Sequence, residues 1–131
     1  MQHLPKPCIW AGMTFMLVIG AIHLLVMPHA VDHAVYTGIL FLVGVIGAFL
    51  AAMGIQEGAL VRGWLLGTAV AGATLAGFIV NGTVGLPGLS ADPQLWQEPL
   101  GIIALVAESL MLLVAFWAYE AARHIRHTIA A

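Results

Sequence analysis

Residues 35–55 have the sequence VYTGILFLVGVIGAFLAAMGI, which contains no charged side chain. A hydrocarbon core of about 30 Å needs roughly 20 apolar residues in helical conformation, so this stretch is long enough to cross a membrane. Three further apolar stretches of similar length lie at residues 9–27, 63–80 and 100–119. The pattern predicts an all-α fold, in which residues 1–131 form one domain that is an integral membrane four-helix bundle.

The composition excludes a soluble domain. Of the 131 residues, 62% are hydrophobic and 8% are charged, and the mean hydropathy is +1.03. Such a chain cannot cover a water-exposed surface with polar groups. A cleaved signal peptide is an alternative interpretation of residues 9–27, but this apolar run is longer than a usual signal core, so we expect it to be retained.

The positive charges predict the orientation of the bundle. All four Lys and Arg residues fall on one side of the predicted topology, namely Lys6, Arg62, Arg123 and Arg126. Short cytoplasmic segments collect such residues, so both termini are predicted to be cytoplasmic. Aromatic residues that favour membrane interfaces agree with this inner boundary: Trp10, Trp64, Trp117 and Tyr119. The outer face then consists of a short turn at residues 28–34 and a loop at residues 81–99.

Small residues repeat at four-residue spacing in the second and third spans. Gly44 and Ala48 are one such pair, and Gly72 and Ala76 are another. Close packing of small residues holds membrane helices together, because lipid supplies little hydrophobic drive between them. We therefore expect the second and third spans to form a close helical hairpin.

The predicted outer face carries a cluster of histidines and carboxylates. His29, Asp32 and His33 stand at positions i, i+3 and i+4, which would place them on one helical face. Imidazole and carboxylate together favour transition metals such as Cu or Zn. Further ligands would come from Asp92, Glu98 or His23. The alternative is an interfacial turn in which these side chains cap the second helix and face water.

Two ionisable residues lie inside the predicted spans, His23 in the first and Glu108 in the fourth. A carboxylate near the bilayer centre is costly, so Glu108 is expected to face the bundle interior and to have a partner or a proton. With span ends at Pro28 and Pro99, helical rise places His23 about 7 Å and Glu108 about 13 Å below them. We expect the two side chains to form an intramembrane polar pair, which is either a proton or metal site or a structural interhelical hydrogen bond.

Other chemistries fit the residues less well. Haem b ranks below a metal ion as a cofactor, because bis-imidazole ligation needs two histidines at similar depth and only His23 lies within a span. An enzyme is the weakest option, since no serine or cysteine nucleophile has a plausible base and no cofactor fingerprint is present.

Four motifs stand out along the chain: HAVDH at residues 29–33, YTGILF at 36–41, TVGLPG at 83–88 and WQEPLG at 96–101, the last followed by Glu108. Together they resemble a group of small bacterial four-span membrane proteins that has no assigned function. The resemblance implies the bundle, a bacterial inner membrane location and a single site built from the marked positions. The group has a polar or basic residue near Asn81, so the resemblance supplies no cation at that position.

Three functions from different classes remain open. The first is a non-enzymatic membrane protein that binds a transition metal at the outer histidines and carboxylates, as an accessory of a metal-handling or respiratory system. The second is a packing or assembly subunit that joins other membrane subunits or a homo-oligomer. The third is a proton-coupled carrier or channel that uses His23 and Glu108. In each case membrane lipid is a partner, and the acidic outer face excludes nucleic acid.

Overall fold

The structure, a computed structural model, describes residues 4–130 and is almost entirely helical. The long helices are α1 (Lys6–His33), α2 (Val35–Gln56), α3 (Leu66–Thr83) and α4 (Pro99–Ala130). A π-helical turn, Leu60–Leu65, leads into α3, and a short 3₁₀ helix, Pro93–Gln97, precedes α4. Within residues 4–130 there is no strand, so the predicted all-α four-helix fold is confirmed. Residues 1–3 and 131 of the predicted domain lie outside the described part.

Large apolar side chains cover the outside of the bundle. Val35 is 71% exposed, Val43 is 61% exposed and Phe116 is 65% exposed. Each of the four spans is long and apolar enough to cross a membrane. A soluble protein rarely exposes such a continuous apolar surface, whereas lipid requires one. The chain is therefore a multi-pass membrane protein, and the cytoplasmic position of its termini stays a prediction.

The chain reverses direction between successive helices, so the bundle has two distinct ends. The junction between α1 and α2 at Ala34 and the segment 84–98 lie at one end, which we name the loop end. The start of α1, the turn at residues 57–59 and the last turns of α4 lie at the other, which we name the terminus end. The helices form a ring in which α1 packs against α2 and α4, and α3 also packs against α2 and α4.

The predicted turn at residues 28–34 is wrong, because α1 continues through Pro28 to His33. A proline removes one backbone hydrogen bond but leaves the following turn intact, and the Ala34 N–H still donates to the Ala30 carbonyl oxygen at 3.2 Å. The helix ends at Ala34, whose backbone is extended. The Thr37 hydroxyl donates to the Ala30 and Ala34 carbonyl oxygens at 2.5 and 2.6 Å. Consequently α1 and α2 are joined by a single residue.

The predicted hairpin of α2 and α3 is close as far as the middle of α2, where an added Cβ atom on Gly47 would lie 2.8 Å from the Val70 side chain, and it is closest at the terminus end. There, a Cβ atom on Gly54 would overlap the backbone of Arg62 and Gly63. Toward the loop end the two helices separate around a cavity that Gly77 of α3 lines, and a Cβ atom added to Gly77 would meet no atom within 4 Å. The small residues of α3 therefore leave an open space where a tight helix pair was expected.

The packed core lies in the terminus half of the bundle. Trp64 is completely buried, and a Cβ atom on Gly12 would lie 3.0 Å from its ring. Trp64 therefore does not face the membrane, because the glycine opposite it makes room for the indole inside the bundle, and its depth at the inner boundary stays a prediction. By contrast, Trp10 and Trp117 are 66% and 45% exposed, which suits residues at an interface.

The contact between Gly54 and the start of α3 generates a stability prediction. We expect Gly54→Ala to lower the free energy of unfolding by about 1–3 kcal/mol, because the new methyl group forces two backbones apart. The measurement is reversible denaturation in mixed detergent micelles. The matched control is Gly72→Ala, which we expect to change stability by less than about 0.5 kcal/mol because its surroundings are open. Equal effects of the two substitutions would contradict the close backbone contact at Gly54.

Candidate functional site

The segment between α3 and α4 is a shaped structure, as its glycines and prolines predict. Gly85 has a φ of +90°, and a Cβ atom there would overlap the Leu89 carbonyl oxygen. Residues with a side chain rarely adopt this conformation, so glycine is required. The Asp92 N–H donates to the Asn81 carbonyl oxygen at 2.8 Å and ties the end of the segment to the end of α3.

Two aromatic side chains fix this segment over the loop end. The Trp96 indole donates to the Gly82 carbonyl oxygen at 3.1 Å, and its ring meets Phe78 edge to face at 5.2 Å. The Tyr36 hydroxyl, at the start of α2, donates to the Pro87 carbonyl oxygen at 2.7 Å. The segment is therefore attached to both α2 and α3 at the end where those helices separate.

The structure brings His23 and Glu108 together inside the bundle. His23 Nε2 lies 3.8 Å from Glu108 Oε1, and the two residues are 8% and 1% exposed. His23 Nδ1 lies 2.9 Å from the Ile19 carbonyl oxygen. Because a carbonyl oxygen can only accept, Nδ1 carries the hydrogen and Nε2 faces the carboxyl group. The second oxygen of Glu108, Oε2, has no hydrogen-bond partner within residues 4–130.

The two residues meet because they lie at the same depth. Since α1 extends to His33, helical rise places His23 about 15 Å from the end of α1. Glu108 lies about 13 Å from the start of α4 at Pro99. The difference in depth that the sequence predicted came from ending the first span at Pro28. No bridging water is needed to explain why the two side chains face each other.

A cavity of about 420 Å³ lies against the pair, in the space between α2 and α3. Its wall is mainly apolar and includes Phe41 and Phe78 as well as the small residues Gly44 and Gly77. Leu40, which also lines it, is 57% exposed on the outside of α2. The cavity therefore reaches both the buried pair and the apolar surface of the bundle.

A second cavity of about 310 Å³ adjoins the first at the loop end. The two share seven lining residues: Val26, Thr37, Phe41, Asn81, Leu86, Leu95 and Glu98. The smaller cavity is also lined by His29, His33 and Asp92. The two cavities together form a route from the loop end to the His23–Glu108 pair.

The predicted metal ligands do not converge in the structure. His29 and His33 lie one helical turn apart with ring centroids 4.4 Å apart, but Asp32 does not line the cavity that they share. His23 lies against the larger cavity instead. Among the residues that the structure describes, no group of three or more His, Cys, Asp or Glu side chains is placed to hold a metal ion.

Charge is distributed unequally between the two ends. At the terminus end, Arg62 pairs with Glu57 and Arg123 pairs with Glu120, each at 3.1 Å. In the described part of the chain, the carboxylates of the loop end form no ion pair with Lys or Arg; they are Asp32, Asp92 and Glu98. The entrance to the two cavities is therefore acidic, which attracts cations and repels anions.

Sequence reasoning missed most of the residues that shape the cavities. Thr74 and Gly44 line the larger cavity near His23, and a Cβ atom on Gly44 would lie 3.8 Å from the His23 ring. Phe41 packs on His23 with ring centroids 5.1 Å apart. Nothing in an apolar span distinguishes such positions from lipid-facing ones. Asn81 offered a signal, because an amide at the end of a span is unusual and it borders both cavities.

No known protein family, no curated protein and no solved structure matches this chain. The site is therefore interpreted from the chemistry of its own residues.

The geometry of the polar pair predicts an energetic coupling between its members. We expect His23→Gln and Glu108→Gln to be non-additive in their effects on unfolding free energy, with a coupling of about 0.5–3 kcal/mol. The physical reason is that each substitution leaves the other group buried with its partner altered. A double-mutant cycle in detergent micelles measures this quantity. His29→Gln combined with Glu108→Gln is the control, and we expect it to be additive; additivity of the buried pair would show that the two groups do not interact.

Proposed function

We propose that this chain is a non-enzymatic proton carrier of the membrane, in which the His23–Glu108 pair takes up and releases a proton through the loop end. The observation that supports this proposal is the buried pair, 3.8 Å apart, at the inner end of two joined cavities. An ionisable pair at this depth is expensive, and within membranes such groups mark ion and proton pathways.

The hydrogen bonding of the pair explains why it would hold one proton. His23 Nε2 faces a carboxyl oxygen of Glu108, and with Nδ1 bound to the Ile19 carbonyl both facing atoms carry lone pairs. A proton on either side chain supplies the missing donor, either as a protonated carboxyl beside neutral imidazole or as imidazolium beside carboxylate, and at 3.8 Å a small approach of the two groups is enough to form the hydrogen bond. Without that proton, a negative charge is left in an apolar wall, which is strongly unfavourable. The pair therefore favours the state with one shared proton.

The packing beyond the pair favours a carrier over a channel. On the terminus side of the pair, Met16 and Met111 are completely buried and meet at Gly67, whose added Cβ would lie 3.4 and 3.0 Å from their side chains. This packed layer joins α1, α3 and α4 on the terminus side of the pair. Release toward the terminus end would thus require a conformational change, which is the property that separates carriers from open pores.

The orientation of the bundle in the membrane is part of this proposal. The four Lys and Arg residues all lie at the terminus end, so we place that end in the cytoplasm and the loop end outside the bacterial inner membrane. Uptake would then begin at the acidic loop end, where protons and other cations accumulate.

A metal site remains a second candidate because two imidazoles, His29 and His33, lie side by side at the loop end. Two neighbouring histidines one turn apart suit a transition metal, with Asp92 or Glu98 of the same cavity completing the ligands after a local rearrangement. A third candidate function is assembly with other membrane subunits, which is supported only by the size and apolar surface of the chain.

Proton transport tests the proposed function directly. Purified protein in liposomes is given an inward pH gradient under a potassium diffusion potential, and an internal pH-sensitive dye reports the rate of acidification. We expect Glu108→Gln to lower the rate to that of protein-free liposomes, because the amide cannot take part in proton exchange. Glu57→Gln is the control, since Glu57 lies at the terminus end and is exposed. Unchanged flux in Glu108→Gln would refute the proposal.

Metal titration tests the second candidate. If the loop end holds a metal, the detergent-purified protein binds one equivalent of Zn or Cu, and His29→Ala combined with His33→Ala abolishes this binding. Equilibrium dialysis with elemental analysis gives the stoichiometry. The control is His124→Ala combined with His127→Ala, which removes two histidines from the terminus end. Equal loss of binding in both double variants would assign the metal to nonspecific surface contacts.

A further inference from the structure

The larger cavity is wider and more apolar than a path for protons requires. A proton path requires only a file of water molecules or hydrogen-bonding groups, whereas this space measures about 420 Å³ and has a mainly apolar wall. Small-molecule sites in proteins typically measure about 300–1,000 Å³ and combine an apolar lining with a few polar groups. The cavity falls in that range, with His23 and Glu108 as polar groups against its wall.

The polar end of the cavity has an unused hydrogen-bond acceptor. Glu108 is 1% exposed, and its Oε2 has no hydrogen-bond partner within residues 4–130. A buried polar atom in a native structure is almost always satisfied, so the carboxyl group of Glu108, a residue that lines the cavity, is short of a donor. The best donor for a carboxylate is a charged N–H group, because such hydrogen bonds are the strong ones.

The ionisable side chains that line the two cavities favour a positively charged ligand. The titratable groups that line the two cavities are His23 and Glu108, with Glu98, Asp92, His29 and His33 nearer the loop end. None is Lys or Arg, and the four Lys and Arg residues of the chain all lie at the terminus end. An anion would meet only repulsion on this route, whereas a cation is attracted.

The apolar residues that line the cavity favour a ligand whose remaining part is apolar. Phe41 and Phe78 both line the cavity, and Phe41 lies directly against His23. An aromatic ring near a bound ammonium group adds a favourable electrostatic contact. Leu40 and Val43 line the cavity and are also 57% and 61% exposed on the lipid-facing side of α2. A ligand that partitions into lipid would therefore reach the cavity from the membrane.

We infer that the larger cavity binds lipophilic organic ammonium ions, with the ammonium group on Glu108 and the apolar body between α2 and α3. This inference rests on the proposed function, because the ammonium ion and the shared proton compete for the same carboxyl group. The exchange is balanced: one ammonium ion enters, the shared proton leaves to water, and Glu108 becomes a carboxylate that accepts the N–H bond. Charge in the site is unchanged, so the protein would exchange an organic cation for a proton.

Three probes with one apolar body test the selectivity. Phenylbutylammonium, phenylbutanol and 5-phenylpentanoate each carry one phenylbutyl group and differ in the charge of the attached polar group. Equilibrium dialysis against the intact protein in detergent micelles, with protein-free micelles subtracted, measures the binding of each. We expect saturable binding of one ammonium ion, at least about tenfold weaker binding of the alcohol, and no saturable binding of the carboxylate. Equal binding of all three would overturn the inference, because it would indicate simple apolar partitioning.

Two matched glycine variants test the location. Gly77 lines the cavity and Gly72 does not, and added Cβ atoms at both positions meet nothing within 4 Å, so both accept a larger side chain without a clash at Cβ. We expect Gly77→Leu to abolish ammonium binding by filling the cavity and Gly72→Leu to leave it unchanged. Glu108→Gln should weaken the binding at least about tenfold while Glu57→Gln does not. Binding that survives in both Gly77→Leu and Glu108→Gln would overturn the inference.

Flux measurements separate the two proposals. If proton flux in liposomes depends on Glu108 but phenylbutylammonium does not bind, the proposed function stands and the inference about the ligand is wrong. If flux is independent of Glu108, the proposed function is wrong, and the exchange that rests on it is wrong as well. If both hold, an outward gradient of phenylbutylammonium should accelerate proton uptake in the unmodified protein and not in Gly77→Leu.

Discussion

The structure depends on the close approach of two backbones at the terminus end, where Gly54 of α2 meets Gly63 at the start of α3. No side chain fits between them. One turn into α3, Gly67 receives the buried ends of Met16 and Met111. These contacts hold one end of the bundle together in the absence of a hydrophobic force between helices in lipid. Because the helices are held at that end and separate toward the other, the space between them widens with distance from the glycines.

The separation of α2 and α3 also accounts for the polar chemistry. A tightly packed bundle has no room beside a buried carboxyl group, and the group would then serve only as a structural hydrogen bond. Here Glu108 has His23 on one side and open space on the other. Oε1 lies 3.8 Å from His23 Nε2, and Oε2 is buried without a hydrogen-bond partner in the described part of the chain. A buried carboxyl group that the protein does not fully satisfy, on a residue that lines a cavity, is suited to exchange.

The sequence predicted the fold well and the site only in part. Length and hydropathy determine four spans, because every backbone group in lipid must be satisfied within its own helix. The same physics makes His23 and Glu108 conspicuous, since ionisable groups are rare in such spans. Which face a small residue occupies is not encoded locally: Ala73 and Gly77 have the four-residue spacing of a packing motif but line the larger cavity. Their role depends on where α2 lies, which is set by tertiary packing at the terminus end.

The single residue between α1 and α2 has a mechanical consequence. Ala34 is the only non-helical position between two helices of 28 and 22 residues, and the Thr37 hydroxyl clamps the junction on both sides. So short a connection allows almost no relative movement, and α1 and α2 therefore behave as one rigid unit. The third helix, by contrast, is flanked by the Gly58 turn and by the long segment 84–98. An opening of the bundle toward its terminus end would therefore have to move α3 or α4 relative to the rigid pair of α1 and α2.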